Sequence, residues 1–229
     1  MWKLTKVKDL DTRYANPTVC PGVSRQEIER LGGLSKLPLK EKVSCFEERY
    51  RVWMFDYAQL FVPTQYGGTA HDERICGNAG FAILAILNPY FNVVGHLCAE
   101  TLPSKSEQAI KEGVRCVFPP LAERGNLHDE LVNKIYMQTR NSIAHNGLTG
   151  EEIVLDGSYD NPLVYGLYAK KTTLVINPFK WYEHLREHFD RYIRVLKLTV
   201  PEVPARDTEL QSRFDARFHT LGRLNEVKS

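Results

Sequence analysis

The chain has 229 residues, of which 43% are hydrophobic, 25% charged and 10% aromatic, and 30 Lys and Arg against 28 Asp and Glu leave a net charge of +2. These are the proportions of a globular protein with a sizeable core, and they exclude disorder or fibrous sequence over most of the chain. The near-zero charge also argues against a protein that binds nucleic acid simply by coating its backbone with cations.

Residues 1–15 alternate charges with single apolar residues and hold no apolar stretch of the secretory kind. Residues 1–40 form an arm with net charge +4 and prolines at Pro17, Pro21 and Pro38. Within it Ser24-Arg-Gln-Glu27 is a capping-box pattern and Gly32-Gly33 a stop, which predicts one short helix over 25–31. From Glu41, the residues Val43, Phe46, Tyr50, Trp53, Tyr57 and Leu60 recur every three or four positions, predicting one amphipathic stripe that Pro63 ends. Residues 64–74 read as a loop, with a polar set at His71, Asp72, Glu73 and Arg74 that we take as ordinary loop polarity.

Residues 75–99 are apolar nearly all round, as in a helix buried within a bundle, with Asn88-Pro89 expected to kink or split it. The longest unbroken apolar run, Phe81 to Leu87, is far short of the about 20 residues that cross a membrane. His96 reads as a core or interface histidine. Residues 104–117 predict a further helix, ended by Pro119-Pro120. Asn126 resembles an N-cap, with Asp129 and Glu130 in the first turn, and the helix runs through Leu127, Leu131, Val132 and Ile135 toward residue 145.

The period then changes. Ile153–Leu155, Leu163–Tyr168 and Thr172–Ile176 are short β-branched or aromatic runs that predict a small hairpin or ribbon. Asn177-Pro178 opens a helix with proline at its first position, and Phe179, Tyr182, Leu185, Phe189, Ile193 and Leu196 give it an apolar stripe. His184 and His188 have H-x-x-E-H spacing, but they flank that stripe, and we place them on a charged, solvated face rather than on a metal. A polar helix over 205–224 carries Leu210, Phe214, Phe218 and Leu221. The five cysteines are scattered and none forms C-x-x-C, as expected of free thiols in a reducing cytoplasm. No phosphate-binding glycine motif occurs, so no nucleotide cofactor is expected.

One segment carries chemistry. Arg140-Asn141-Ser142-Ile143-Ala144-His145 lies on the last turns of the predicted motif helix, with Asn141 and His145 four apart on one face. Arginine supplies a permanent forked cation for phosphate oxygens. Histidine titrates near neutrality and can pass a proton to or from a ribose hydroxyl.

RNSIAHNG resembles the R-x4-6-H motif of HEPN domains (higher eukaryotes and prokaryotes nucleotide-binding), including the frequent polar residue after the arginine. The context is similar too. An apolar helix with an NPYF turn lies ahead of the motif, and LVINPFKWYEHLREHFDRYIRVL follows a short β element behind it. The likeness covers roughly residues 41–200, which leaves 1–40 as an arm and 201–229 as a polar tail or helix.

The resemblance implies a mainly α fold: an up-and-down helical bundle with a small β-hairpin between the motif helix and the last core helix. It implies a homodimer with both motifs facing one cleft, and metal-independent cleavage of RNA to a cyclic phosphate end, with neither metal nor cofactor. Arg140 would stabilise the phosphorane, His145 would serve as general acid or base, and Asn141 would assist. The setting it implies is the cytoplasm, in toxin–antitoxin or phage-defence systems, with an antitoxin or defence protein as partner and no membrane. Other members of the superfamily have lost catalysis and bind RNA, nucleotide or a protein partner.

Overall fold

Long amphipathic segments dominate the sequence, and in the computed structural model they assemble around one apolar core. The structure describes residues 18–20, 23–70, 79–122, 125–141, 152–168, 171–198 and 204–223. Two short strands, β1 (Thr18–Cys20) and β2 (Val23–Ser24), pair antiparallel and lead into α1 (Arg25–Arg30). Gly32 and Gly33 stop α1 with φ of 86° and 90°, a backbone region that glycine enters without steric cost. The Gly33 N–H returns to the Ile28 carbonyl at 2.9 Å. Ile28 and Leu37 are buried, so this part of the arm packs on the body.

α2 (Leu39–Tyr50) continues through a π-helical turn, Arg51–Phe55, into a last α turn, Asp56–Gln59. That turn corrects the predicted stripe. Val43 and Phe46 are buried as expected, but beyond Tyr50 the inward residues are Met54, Phe55, Ala58 and Val62. Trp53, Tyr57 and Leu60 are 39%, 55% and 55% exposed. The i→i+5 pitch of a π turn inserts one residue into the helical period and rotates all that follows.

α3 (Gly80–Leu87) and α4 (Pro89–Cys98) meet at Asn88, where the expected split occurs. Asn88 keeps helical dihedrals, φ −58° and ψ −33°, and Pro89 takes the first position of α4, where its missing N–H costs no hydrogen bond. Together α3 and α4 span 19 residues apolar enough to cross a membrane, yet most of that length is buried within the protein. α4 packs backbone to backbone against α5 (Ser106–Val117): a Cβ on Gly95 would stand 1.7 Å from the Ala109 carbonyl oxygen, and one on Gly113 1.8 Å from that of Phe91. Only glycine permits this approach.

α6 (Asn126–Lys134) is followed in the chain by a sheet in the order β3-β5-β4. β4 (Leu163–Tyr168) and β5 (Lys171–Ile176) form the expected antiparallel hairpin, and β3 (Ile153–Leu155) adds to it in parallel, with Ile153 opposite Leu174. The buried Ile153, Leu174 and Ile176 anchor the sheet in the core. α7 (Pro178–Lys197) is capped by Asn177, whose side chain accepts from the N–H groups of Phe179 and Lys180 and donates to the carbonyls of Gly157 and Tyr159. α7 buries Trp181, Tyr182, Leu185, Phe189, Tyr192, Ile193 and Leu196. The architecture is therefore mainly helical, with a small three-stranded sheet and a two-stranded pair ahead of α1.

α8 (Ala205–Arg223) lies against α4 and α7, with Phe214 and Phe218 buried. The buried Lys42 ammonium bonds Asp215 at 2.7 Å and ties α8 to α2. Arg213 donates to the Cys98 carbonyl at 2.7 Å, and Arg217 to those of His96, Ala99 and Glu100. The two guanidinium groups thereby satisfy the free carbonyls at the end of α4 and complement its dipole.

Candidate functional site

α6 continues beyond Lys134 into a π-helical stretch, Ile135–Asn141. Asn126 is its first helical residue rather than its cap. Gly125 occupies the cap position in extended backbone, and its carbonyl accepts from the Asp129 N–H at 2.9 Å. Leu131, Val132 and Ile135 face the core as predicted, whereas Leu127 is 40% exposed, one turn short of the packed segment. On the outer side Arg115 of α5 reaches Asp129 at 2.5 Å and Glu112 at 3.1 Å.

The π stretch packs against α5 and α3. Lys111 sits over the Tyr136 ring, 5.4 Å from its centroid. Thr139 is buried and donates its hydroxyl to the Ile135 carbonyl at 2.6 Å, the local back-bond that Thr makes inside helices. Arg140 and Asn141 close the stretch, and the structure describes their backbone. His145 lies outside the described residues, as does the loop set His71, Asp72, Glu73 and Arg74.

Beside this helix runs an open groove of about 480 Å³, lined by Asn126, Asp129, Glu130, Asn133, Lys134, Met137, Gln138 and Glu152. Its floor is one face of α6 and the start of its π stretch, so it leads along the helix toward Arg140. Lys134 bridges the two walls: it pairs with Glu130 at 3.7 Å and with Glu152, just ahead of β3. The ammonium holds the half-buried Glu152 carboxyl below the usual carboxylate range. Three carboxylates against one ammonium leave the lining acidic. The α6 part of this groove follows helical spacing in the sequence, but Glu152 joins it only through tertiary packing, which no local pattern signals.

The histidines of α7 are not where the sequence places them. His188 is buried, with its Nδ1 2.9 Å from the Tyr90 hydroxyl, and burial pushes its pKa down to about 3, with Arg191 and His184 adding to the shift. The ring there is neutral and shares a hydrogen bond with the tyrosine hydroxyl, the tautomer setting which of the two donates. His184 bonds the Val117 carbonyl at 2.8 Å and stacks on Phe118, 4.7 Å between centroids. Both rings are thus engaged in packing, and among the described residues no cluster of His, Cys, Asp and Glu could hold a metal. The solvated-face reading failed because α7 buries a wider arc than the predicted stripe, taking in Trp181, His188 and Tyr192. His96 is buried at the end of α4, its pKa lowered by burial and by Arg217. Cys45, Cys98 and Cys116 form no disulfide. The chain matches no known family, and no curated protein or solved structure is significantly similar to it.

Proposed function

We propose that the chain is a metal-independent endoribonuclease of the HEPN type, acting through Arg140 and His145 with Asn141 assisting. The observation that carries the reading is the sequence RNSIAH, whose first two residues, Arg140 and Asn141, close the π-helical stretch Ile135–Asn141 that continues α6. π-helical turns are frequent at functional sites. Histidine titrates near neutrality and can give a proton to the leaving 5′ oxygen, the role that the resemblance gives His145. The 2′ hydroxyl gives up its proton to water as its oxygen attacks the neighbouring phosphorus, the cyclic phosphate forms as the P–O5′ bond breaks, and Arg140 offsets the charge of the phosphorane. Pairing of two copies would double the few cations available to the RNA. The cytoplasm, and a role in toxin–antitoxin or phage defence with an antitoxin-like partner, belong to the same proposal.

A second reading is favoured by the groove. Its acidic lining repels an RNA backbone and suits a cationic segment of a partner protein, as in a HEPN module that binds without cleaving. One experiment separates the two. The purified chain and the variants Arg140→Ala and His145→Ala are incubated with RNA in EDTA, and the ends of the products are analysed. The ribonuclease reading expects cyclic phosphate ends from the parent and a loss of at least about 100-fold in either variant. A parent that leaves RNA intact, or variants that cleave as fast as the parent, would sink it.

A further inference from the structure

The three-stranded sheet has two edges, and they are built unequally. β5 lies between β3 and β4. The Leu174 N–H donates to the Glu152 carbonyl at 2.9 Å and the Asp156 N–H to the Ile176 carbonyl at 3.0 Å, so Leu174 and Ile176 turn their backbone groups toward β3. On the other side of β5 the Asn177 N–H donates to the Pro162 carbonyl at 3.2 Å. Along an antiparallel pair, residues that exchange hydrogen bonds alternate with residues that do not. With Leu163 opposite Ile176 and Tyr165 opposite Leu174, the bonds to β5 therefore fall to Val164, Gly166 and Tyr168. Leu163, Tyr165 and Leu167 aim their N–H and C=O groups away from β5, along the outer edge of β4. Among the described residues no strand pairs with that edge.

The side chains at these three positions share the face that carries Leu174 and Ile176 into the core, because directly opposed residues project to the same side. Leu163 still packs on the core, but Tyr165 is 54% and Leu167 80% exposed, so the hairpin carries its apolar face past the body. Proteins guard such edges with a charge, a proline, a bulge or a very short strand. Leu163–Tyr168 reads LVYGLY, six residues without charge or proline, and its register is unbroken. β3, at the opposite edge, has three residues and follows Glu152, which Lys134 ties to α6. One edge is guarded and the other is not.

We propose that the outer edge of β4 is a strand-addition site, which takes an extended segment of another protein as the fourth strand of this sheet. Main-chain groups of Leu163, Tyr165 and Leu167 supply the hydrogen bonds, and only an extended backbone presents donors and acceptors at their spacing. The residues of the added strand that bond to them fall on the same face as Tyr165 and Leu167. The segment that fits is accordingly apolar at those alternate positions and free of proline. The site holds whether or not the chain cleaves RNA.

The probe is a capped peptide copied from β5, KTTLVI, a sequence that already pairs with the inner edge of β4. Laid antiparallel, with the copies of Thr172, Leu174 and Ile176 bonded to Leu167, Tyr165 and Leu163, it sets its leucine and isoleucine on the apolar face. Hydrogen exchange followed by NMR locates the contact: saturating peptide is expected to slow the Leu163, Tyr165 and Leu167 amides about tenfold or more. Anisotropy of the labelled peptide gives the affinity. Tyr165→Pro removes one outward N–H and spares the ladder to β5, while Leu167→Lys installs a guarding charge; circular dichroism confirms that both fold. Each is expected to weaken binding about tenfold, the worth of one or two hydrogen bonds. N-methylation at the copy of Leu174 has the same effect, whereas N-methylation at the copy of Val175, whose N–H faces outward, is tolerated. A peptide that leaves the three amides unprotected at about 1 mM, equal binding by the parent and both variants, or equal tolerance of the two methyl groups overturns the proposal. So does a parent whose three amides are already as protected as those of Val164 and Gly166, the edge then being closed by the chain itself or by a second copy.

Discussion

Gly95 and Gly113 determine how close two core helices come, and each does so by lacking one carbon. A Cβ at either position falls within 2 Å of a carbonyl oxygen on the facing helix. Gly95→Ala is therefore expected to destabilise the protein by about 3 kcal/mol, the upper end of overpacking costs, read from the urea midpoint. Gly166→Ala, where a Cβ meets nothing within 4 Å, should leave the midpoint almost unmoved. His188 gives stability a pH dependence. Its pKa is pushed from 6.5 down to about 3 by burial, so between those values the unfolded chain binds a proton that the folded chain refuses. The stability that rests on the neutral ring is fully present above 6.5 and is lost progressively as pH falls toward about 3. Urea titrations at pH 7 and pH 4.5 should show a smaller drop for His188→Gln than for the parent, and equal drops would refute the assignment. Residue-scale features of this kind are only half legible in a sequence. The RNSIAH spacing is local and visible, whereas the burial of His188 depends on Tyr90, far away in the chain.

At the scale of elements, most boundaries follow local rules. Asn177-Pro178 marks the start of α7, and the structure adds why the asparagine is buried: it caps the helix with its oxygen and pins the loop at Gly157 and Tyr159 with its amide. Asn177→Ala should cost about 2 kcal/mol, the high end for a cap, because two carbonyls lose their donor as well. Asn177→Asp, which keeps the cap and loses the donors, should fall between the two; thermal unfolding orders the three proteins, and an aspartate as damaging as alanine would show that the cap contributes nothing. The two π-helical stretches were not legible. The spacing from Val43 to Leu60 fits a regular stripe, and only packing against α3 and α7 shows that Phe55 and Ala58, not Trp53 and Tyr57, go inward. The parallel pairing of β3 with β5 is likewise a tertiary choice, since short apolar strands carry no record of direction.

For the molecule as a whole, the net charge of +2 conceals an uneven distribution. Residues 1–40 carry +4 and residues 41–103 carry −3, and the groove along α6 is acidic. An enzyme with so few cations near its motif would hold RNA weakly and lose it as salt rises. The helical class was readable from periodicity. The closure of the body by α8 was not, because its Phe214 and Phe218 sit in a segment whose composition is otherwise polar. That closure has a consequence for biosynthesis. α8 is translated after every other described element, yet it supplies the cover for Phe46, the partner for Lys42 and the donors for the end of α4. A ribosome-bound chain therefore carries an open seam along α2 and α4 until α8 has emerged. The finished core, and whatever activity depends on it, arises only after the codons for α8 have been read.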